Sequence, residues 1–132
     1  MHRRELIRFV TINRHPPYGH RSGIFAAAYA LWREQRMAEP DRVELRTLLD
    51  WFEAHLAEPN RFAASRHPHA KETAICWVRT SAREHMTRLR RLTAIVETAG
   101  VAVDELRTTC PGYVVYQDLH QVVALPFADT PC

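Results

Sequence analysis

The segment from residue 14 to residue 23 combines side chains that bind anions with side chains that transfer protons. Its arginines and histidines, and the two small residues that end it, are Arg14, His15, His20, Arg21, Ser22 and Gly23. A helix is expected to begin near the two small residues, and the free N–H groups of a helix N-terminus attract anions. We therefore predict an anion site formed by the two arginines, the serine and the glycine. If the chain is an enzyme, the two histidines are the expected acid and base.

The same segment has a second interpretation. It contains no GxGxxG pattern or other phosphate-loop consensus, and most basic surface loops are solvated rather than functional. A solvated loop therefore remains an alternative to the anion site.

Basic side chains also recur later in the chain. Arg79, Arg83 and Arg90 lie within about 40° of one another if residues 68–99 form a helix, which turns about 100° per residue. Such a face is able to contact a nucleic-acid backbone or a protein partner. The alternative is a solvated face that pairs with acidic side chains of the same chain. Only one of the 18 basic residues is lysine, a bias that a GC-rich genome produces without any functional cause.

Histidine is frequent, with eight residues in the chain. His67, His69 and His85 would bind a transition metal if the fold brought them together. Their spacing matches no ligand motif, and a buried, hydrogen-bonded side chain is the ordinary explanation for His85. We therefore expect no metal and no other cofactor. The three cysteines lack a CxxC spacing and are not expected to form disulfides.

Hydrophobic periodicity predicts the elements that position these residues. Strands are expected at 6–12, 101–109, 113–117 and 121–125, and helices at about 22–37, 39–59 and 68–99. The order β-α-α-α-β-β-β indicates an α+β fold, with an antiparallel sheet packed on one face by three helices. The helix over residues 68–99 is the longest, and Ile75, Val78, Leu89 and Leu92 on its apolar stripe are expected to be buried.

The two C-terminal strands are apolar on both faces. Regular alternation places Tyr113 and Val115 on one face and Val114 and Tyr116 on the other, with Val122 on the neighbouring strand. A sheet with helices on one face needs cover for a second apolar face. We predict an interface formed by Tyr113, Val115, Tyr116 and Val122, and hence a homodimer or a protein partner. The alternative is that the C-terminal tail or the loop near residues 60–67 covers this face.

The length and composition of the chain limit the classes of function that it can have. A length of 132 residues fits a single domain over residues 1–132, and no apolar run is long enough to span a bilayer. We interpret the chain as a cytoplasmic interaction module. The alternatives are a small enzyme acting on a phosphate-containing substrate, such as a nucleotide or RNA, through the segment 14–21, and a nonspecific nucleic-acid binder.

Overall fold

The structure is a computed structural model that describes residues 5–14, 21–35, 37–58 and 74–132. The described elements are β1 (Leu6–Arg14), β2 (Arg21–Gly23), α1 (Ile24–Glu34), α2 (Asp41–His55), β3 (Ile75–Arg79), α3 (Arg83–Thr98), β4 (Asp104–Thr108), β5 (Tyr113–Gln117) and β6 (Gln121–Leu125). The fold is α+β, as predicted, and the element order agrees roughly with the expected one. In the described ranges, no helix is both long and apolar enough to cross a membrane.

One antiparallel sheet contains all six described strands, with β1 near its centre. Leu6 and Ile7 pair with both β3 and β4, so these two strands flank β1 on opposite edges. Val10 pairs with both Asp104 and Gly23, which places β2 on the same edge of β1 as β3. The sheet continues from β3 through β6 to β5.

The main core lies between one face of this sheet and the three described helices. Alternation along β1 directs Ile7 and Phe9 toward the helices, where they meet the apolar stripes of α1, α2 and α3. The helical residues of this core include Ala28, Leu31, Leu45, Leu49, Leu89 and Leu92. The expected layer of helices on one face of an antiparallel sheet is therefore confirmed.

The strand β3 was not predicted. Residues 75–79 were expected in the middle of a helix over 68–99, but they form a strand, and the helix begins only at Arg83. Residues 68–73 lie outside the described part of the chain. The expected burial of Ile75, Val78, Leu89 and Leu92 is confirmed, although the first two are buried from a strand. Val78 of β3 lies in the core beneath the helices, and Ile75 and Trp77 lie in a cluster on the opposite face. Both faces of β3 are therefore buried, and its apolar run resembles a helical stripe.

The second face of the sheet is also buried. Leu6, Ile75, Trp77 and Val122 form a cluster there, and Cys132 packs against it. The backbone N–H of Arg21 donates to the carbonyl oxygen of Cys132 over 3.0 Å, which ties the C-terminal segment to β2. The C-terminal segment, one of the two covers considered for this face, therefore packs against it.

A bulge in β5 changes the expected alternation of the C-terminal hairpin. The register shifts between Val114 and Tyr116, so Tyr116 pairs with Val123. Tyr116 therefore packs with Val115 on one side of the sheet, whereas strict alternation would separate them.

Candidate functional site

A cavity of about 390 Å³ lies between the helices and the sheet, beyond the end of α2. The rings of Phe25 on α1 and Phe52 on α2 meet edge to face on its helical side, with 5.0 Å between their centroids. Its described lining consists of Phe25, Tyr29, Phe52, Glu53, Leu56, Ala57, Glu58, Ala74, Cys76, Gln121 and Val123. The cavity thus has aromatic and aliphatic walls and a small number of polar groups, the usual composition of a small-molecule site.

Gln121 is the buried polar residue of this lining. Its Nε2 donates to the carbonyl oxygen of Ala57 over 2.7 Å and to Oδ2 of Asp118 over 3.1 Å, and its Oε1 accepts from Sγ of Cys76 over 3.0 Å. Both ends of the amide are hydrogen-bonded, so its position is fixed. This amide holds together β3, β6 and the chain that follows α2.

The thiol of Cys76 lies beside that amide. Burial raises the pKa of Cys76 to about 12, and the nearby guanidinium of Arg8 offsets only part of this increase. The residue therefore remains a thiol at neutral pH and donates to Gln121. Because the thiolate is the reactive form of cysteine, Cys76 is not suited to nucleophilic catalysis here.

This assignment predicts the reactivity of the cysteines. We expect a chromogenic disulfide reagent at neutral pH to react rapidly with exposed Cys110 and not with Cys76 until the chain is unfolded in urea. Because Cys132 is also a partly exposed free thiol, the test uses a Cys132→Ser background, in which the further change Cys110→Ser should remove the rapid phase and serves as the control. A native Cys76 that reacts as fast as Cys110 would show that the described environment of the thiol is wrong.

Two exposed acidic side chains, Glu53 and Glu58, belong to the described lining of the cavity. Glu53 accepts hydrogen bonds from the hydroxyl of Tyr29 and, over 2.9 Å, from Nη2 of Arg46. Burial and the hydrogen bond to Glu53 raise the pKa of Tyr29, so its phenol stays protonated and continues to donate.

A cluster of histidines lies next to the cavity, near the turn between β5 and β6. His85 on α3 is buried, stacks on His120 with 4.2 Å between ring centroids, and contacts the carbonyl oxygen of His55 through Nε2 at 2.8 Å. Burial lowers the pKa of His85, the hydrogen bond to the carbonyl oxygen of His55 offsets part of this effect, and nearby His120 lowers the pKa further. His85 is thus a hydrogen-bonded core residue, as its position in the sequence suggested. Within the described ranges, no three His, Cys, Asp or Glu side chains are grouped to hold a metal ion, and His67 and His69 lie outside those ranges.

The predicted anion site is described only in part. The guanidinium of Arg21 pairs with the carboxylate of Asp104, and its Nε donates to the carbonyl oxygen of Thr11 over 2.8 Å. Ser22 is in β2, and Gly23 is the N-cap of α1. His15, His20 and the side chain of Arg14 lie outside the described residues. The anion site therefore remains a prediction, and its one described arginine already binds a carboxylate.

The three arginines expected on one helical face do not share a helix. Arg79 ends β3, where its Nε donates to the carbonyl oxygen of Asp118 over 2.9 Å. Arg83 begins α3, and Arg90 pairs with Glu105 over 3.1 Å. The expectation of a single basic face is wrong because residues 75–79 are extended. Contact of these residues with a nucleic acid or a partner remains a prediction.

Only part of the predicted interface is exposed. Val115 and Val122 are buried within the chain and contribute to its own core. The hydroxyl of Tyr116 donates to Oδ2 of Asp118 over 2.9 Å. Tyr113 is half exposed on β5, the last strand of the described sheet on that side.

Comparison with known protein families, curated proteins and solved structures finds no match for this chain. The function must therefore be argued from the cavity. None of its described lining residues was among the predicted site residues. One usable signal was Gln121, a polar side chain at the start of the otherwise apolar run QVVAL, since a polar residue inside a core strand requires hydrogen-bond partners.

Proposed function

We propose that this protein is a binding module for a small molecule with an apolar body, held in the cavity between α1, α2 and β6. The observation that supports this proposal is an aromatic-walled cavity of about 390 Å³ with a fixed amide on its surface. Protein interiors are otherwise packed nearly as densely as organic crystals. Ligand sites in proteins typically have volumes of about 300–1,000 Å³, apolar walls and few polar groups.

Part of the described wall of the cavity is already held in place by contacts within the chain. Phe25 and Phe52 pack against each other across α1 and α2, and Gln121 is held by three hydrogen bonds. A site that is already ordered loses less conformational entropy on binding. These features favour binding of a rigid apolar group, such as a ring, between the phenyl rings and β6.

We expect a larger side chain at Ala74 to abolish this binding. Ala74 lines the cavity just before β3, so Ala74→Phe should place its ring in the space of the ligand. Titration with an uncharged naphthalene dye should give saturable binding to the wild type, weakened at least tenfold, or about 1.4 kcal/mol, by this change. Circular dichroism should show that the variant remains folded.

Ala102→Phe is the matched control because Ala102 is exposed and does not line the cavity. It should leave the affinity for the dye unchanged. Absence of saturable dye binding to the wild type, or equal affinity of wild type and Ala74→Phe, would refute the proposed site.

Self-association remains a second candidate. Among the four residues of the predicted interface, half-exposed Tyr113 is the best placed to contact another chain. It lies on an outer strand of the described sheet, and such strands can pair with a second chain. A protein partner, activity on a phosphate-containing substrate, nucleic-acid binding and a cytoplasmic location all remain predictions.

A further inference from the structure

The strand β4 lies at one edge of the described sheet. Among the described strands it pairs with β1 alone. Its residues Asp104, Glu105 and Arg107 are exposed to solvent. This edge is at the opposite end of the sheet from β5, the strand that carries Tyr113. An edge strand presents backbone N–H and C=O groups that a strand of another chain is able to bind.

Two opposite charges lie on the same face of β4. Leu106 points to the second face of the sheet, where it packs against the buried cluster. Glu105 and Arg107 lie on the helical face, since Arg90 of α3 binds Glu105 over 3.1 Å. The side chains of Glu105 and Arg107 pair with each other and are still 33% and 42% exposed. A carboxylate and a guanidinium therefore flank Leu106 and remain accessible to a further chain.

The guanidinium of Arg107 has donors for such a chain. Its Nε donates to Glu105 over 2.5 Å, and its Nη1 donates to Glu5 over 2.8 Å. These two bonds use two of the five N–H donors that a guanidinium carries. Arg107 is therefore able to keep both bonds and to contact another carboxylate.

The sequence around Leu106 is complementary to itself. If two β4 strands pair antiparallel about Leu106, Glu105 of each copy lies directly opposite Arg107 of the other. Asp104 then lies opposite Thr108, so no like charges face each other. A shift by two residues would place Glu105 opposite Glu105 or Arg107 opposite Arg107, and like charges directly opposite are destabilising.

This pattern differs from an ordinary protected edge. Charged side chains usually prevent edge strands from pairing with other chains. In β4 the same charges favour one register and disfavour the registers two residues away from it. The partner that matches this order of charges is a second copy of the chain.

We propose that two copies of this protein associate through β4, in the antiparallel register centred on Leu106. Directly opposite residues of paired strands lie on the same face of a sheet. The two sheets would therefore become continuous, with the helices of both copies on one side. This inference is independent of the cavity, because none of the described lining residues lies on β4.

Analytical ultracentrifugation over a range of protein concentrations tests the association. The paired strands are only five residues long, and small interfaces are usually weak. We therefore expect a reversible monomer–dimer equilibrium, with the dimer half populated at a concentration between about 10 and about 500 µM. A protein that remains monomeric up to about 1 mM would overturn the proposal.

Charge reversal locates the interface. Glu105→Arg and Arg107→Glu each place like charges opposite one another at both symmetric contacts, so each should raise the dissociation constant at least tenfold. An equal mixture of the two variants should associate again, because the positive side chains of one chain then meet the carboxylates of the other. Glu58→Arg is the matched control. Glu58 lies beside Val123 of β6, away from β4, and its reversal should leave association unchanged.

A neutral variant guards against loss of folding, since both reversals also remove ion pairs within the chain. Glu105→Gln/Arg107→Gln keeps the size of both side chains, and circular dichroism should show that it is folded. It should weaken the dimer about two- to tenfold. A dissociation constant that is unchanged in this variant and in both reversals would assign association to another surface and reject the proposal. Failure of the mixed, folded reversal variants to associate would reject the proposed register.

Discussion

Replacing Trp77 by alanine should lower the free energy of unfolding by about 3–5 kcal/mol, the usual cost of emptying a buried Trp or Phe site. The indole of Trp77 is fully buried at the centre of β3. It packs with Leu6 of β1 and Val122 of β6, the strands on either side. Its loss would therefore remove contacts from three strands of the sheet. A loss of this size is a large part of the roughly 5–15 kcal/mol by which domains are stable.

Urea unfolding followed by circular dichroism measures this change. Leu119→Ala is the control, because Leu119 is 83% exposed and its truncation should change stability by at most about 0.5 kcal/mol. A cost below about 1 kcal/mol for Trp77→Ala would mean that the second face of the sheet is not a packed core.

Trp77→Phe keeps the test informative if the alanine variant does not fold. The Nε1–H of Trp77 is buried without a hydrogen-bond partner in the described structure, and such a group is costly to bury. Phenylalanine removes that donor and keeps most of the apolar contact. We therefore expect this variant to be folded and to lose less than about 2 kcal/mol. Complete unfolding of Trp77→Phe would contradict the described environment of the indole.

The failure to predict β3 has a physical cause. Ile75 and Val78 are three residues apart, as on a helical stripe, and they continue the spacing of the helix that follows. A strand buried on both faces lacks the alternation that distinguishes a strand from a helix. One local signal was present, because Ser81 and Glu84 have the spacing of a helix-start motif. The helix does begin at Arg83, although its N-cap, Ala82, makes no side-chain cap hydrogen bond.

Sequence patterns predicted strands more accurately where turn-forming residues mark the strand ends. The strands at 113–117 and 121–125 agree with β5 and β6 to the residue, since Pro111 and Gly112 break the chain before the first of them. The bulge at Val115 was not predictable, because it depends on packing against Val123 and its neighbours.

The cavity could not be predicted from residue spacing at all. Its walls come from α1, α2, β3 and β6, and Phe25 and Val123 lie at opposite ends of the chain. Only the packing of the helices against the sheet brings them together. Residue spacing reveals only patterns that are local in sequence, whereas this cavity is a property of the assembled fold.

The carboxylate of Asp118 should stabilise the turn between β5 and β6. Asp118 accepts the backbone N–H of His120 over 2.8 Å and that of Gln121 over 3.1 Å through Oδ1. Its Oδ2 accepts the hydroxyl of Tyr116 over 2.9 Å and Nε2 of Gln121 over 3.1 Å. Asp118→Ala removes all four bonds, and hydrogen bonds to charged groups are the stronger ones. We expect it to lower the free energy of unfolding by about 2–4 kcal/mol.

The same change should weaken binding in the cavity. Asp118 is one of the three partners that fix Gln121, together with Ala57 and Cys76. When this partner is lost, the amide keeps two of its three hydrogen bonds and is held less rigidly at the cavity, so affinity for the uncharged dye should fall. Glu97→Ala, which removes an exposed carboxylate, should change neither stability nor binding.

The stability difference between wild type and Asp118→Ala should decrease in acid. Burial alone would raise the pKa of Asp118, but the bonds from His120, Gln121 and Tyr116 outweigh it, and the folded pKa lies below the ordinary value of 3.8. The carboxylate therefore stabilises the fold fully above pH 3.8, and this contribution is lost as the pH falls through the folded pKa. The pKa of His85 is also lowered from 6.5, chiefly by burial, so both proteins should lose stability below pH 6.5. That loss is common to the two proteins.

Urea unfolding at pH 7, 5 and 2.5 measures the difference in free energy of unfolding between wild type and Asp118→Ala. This difference should be equal at pH 7 and 5 and smaller at pH 2.5. A difference that stays constant down to pH 2.5 would show that the charge of Asp118 does not hold the turn.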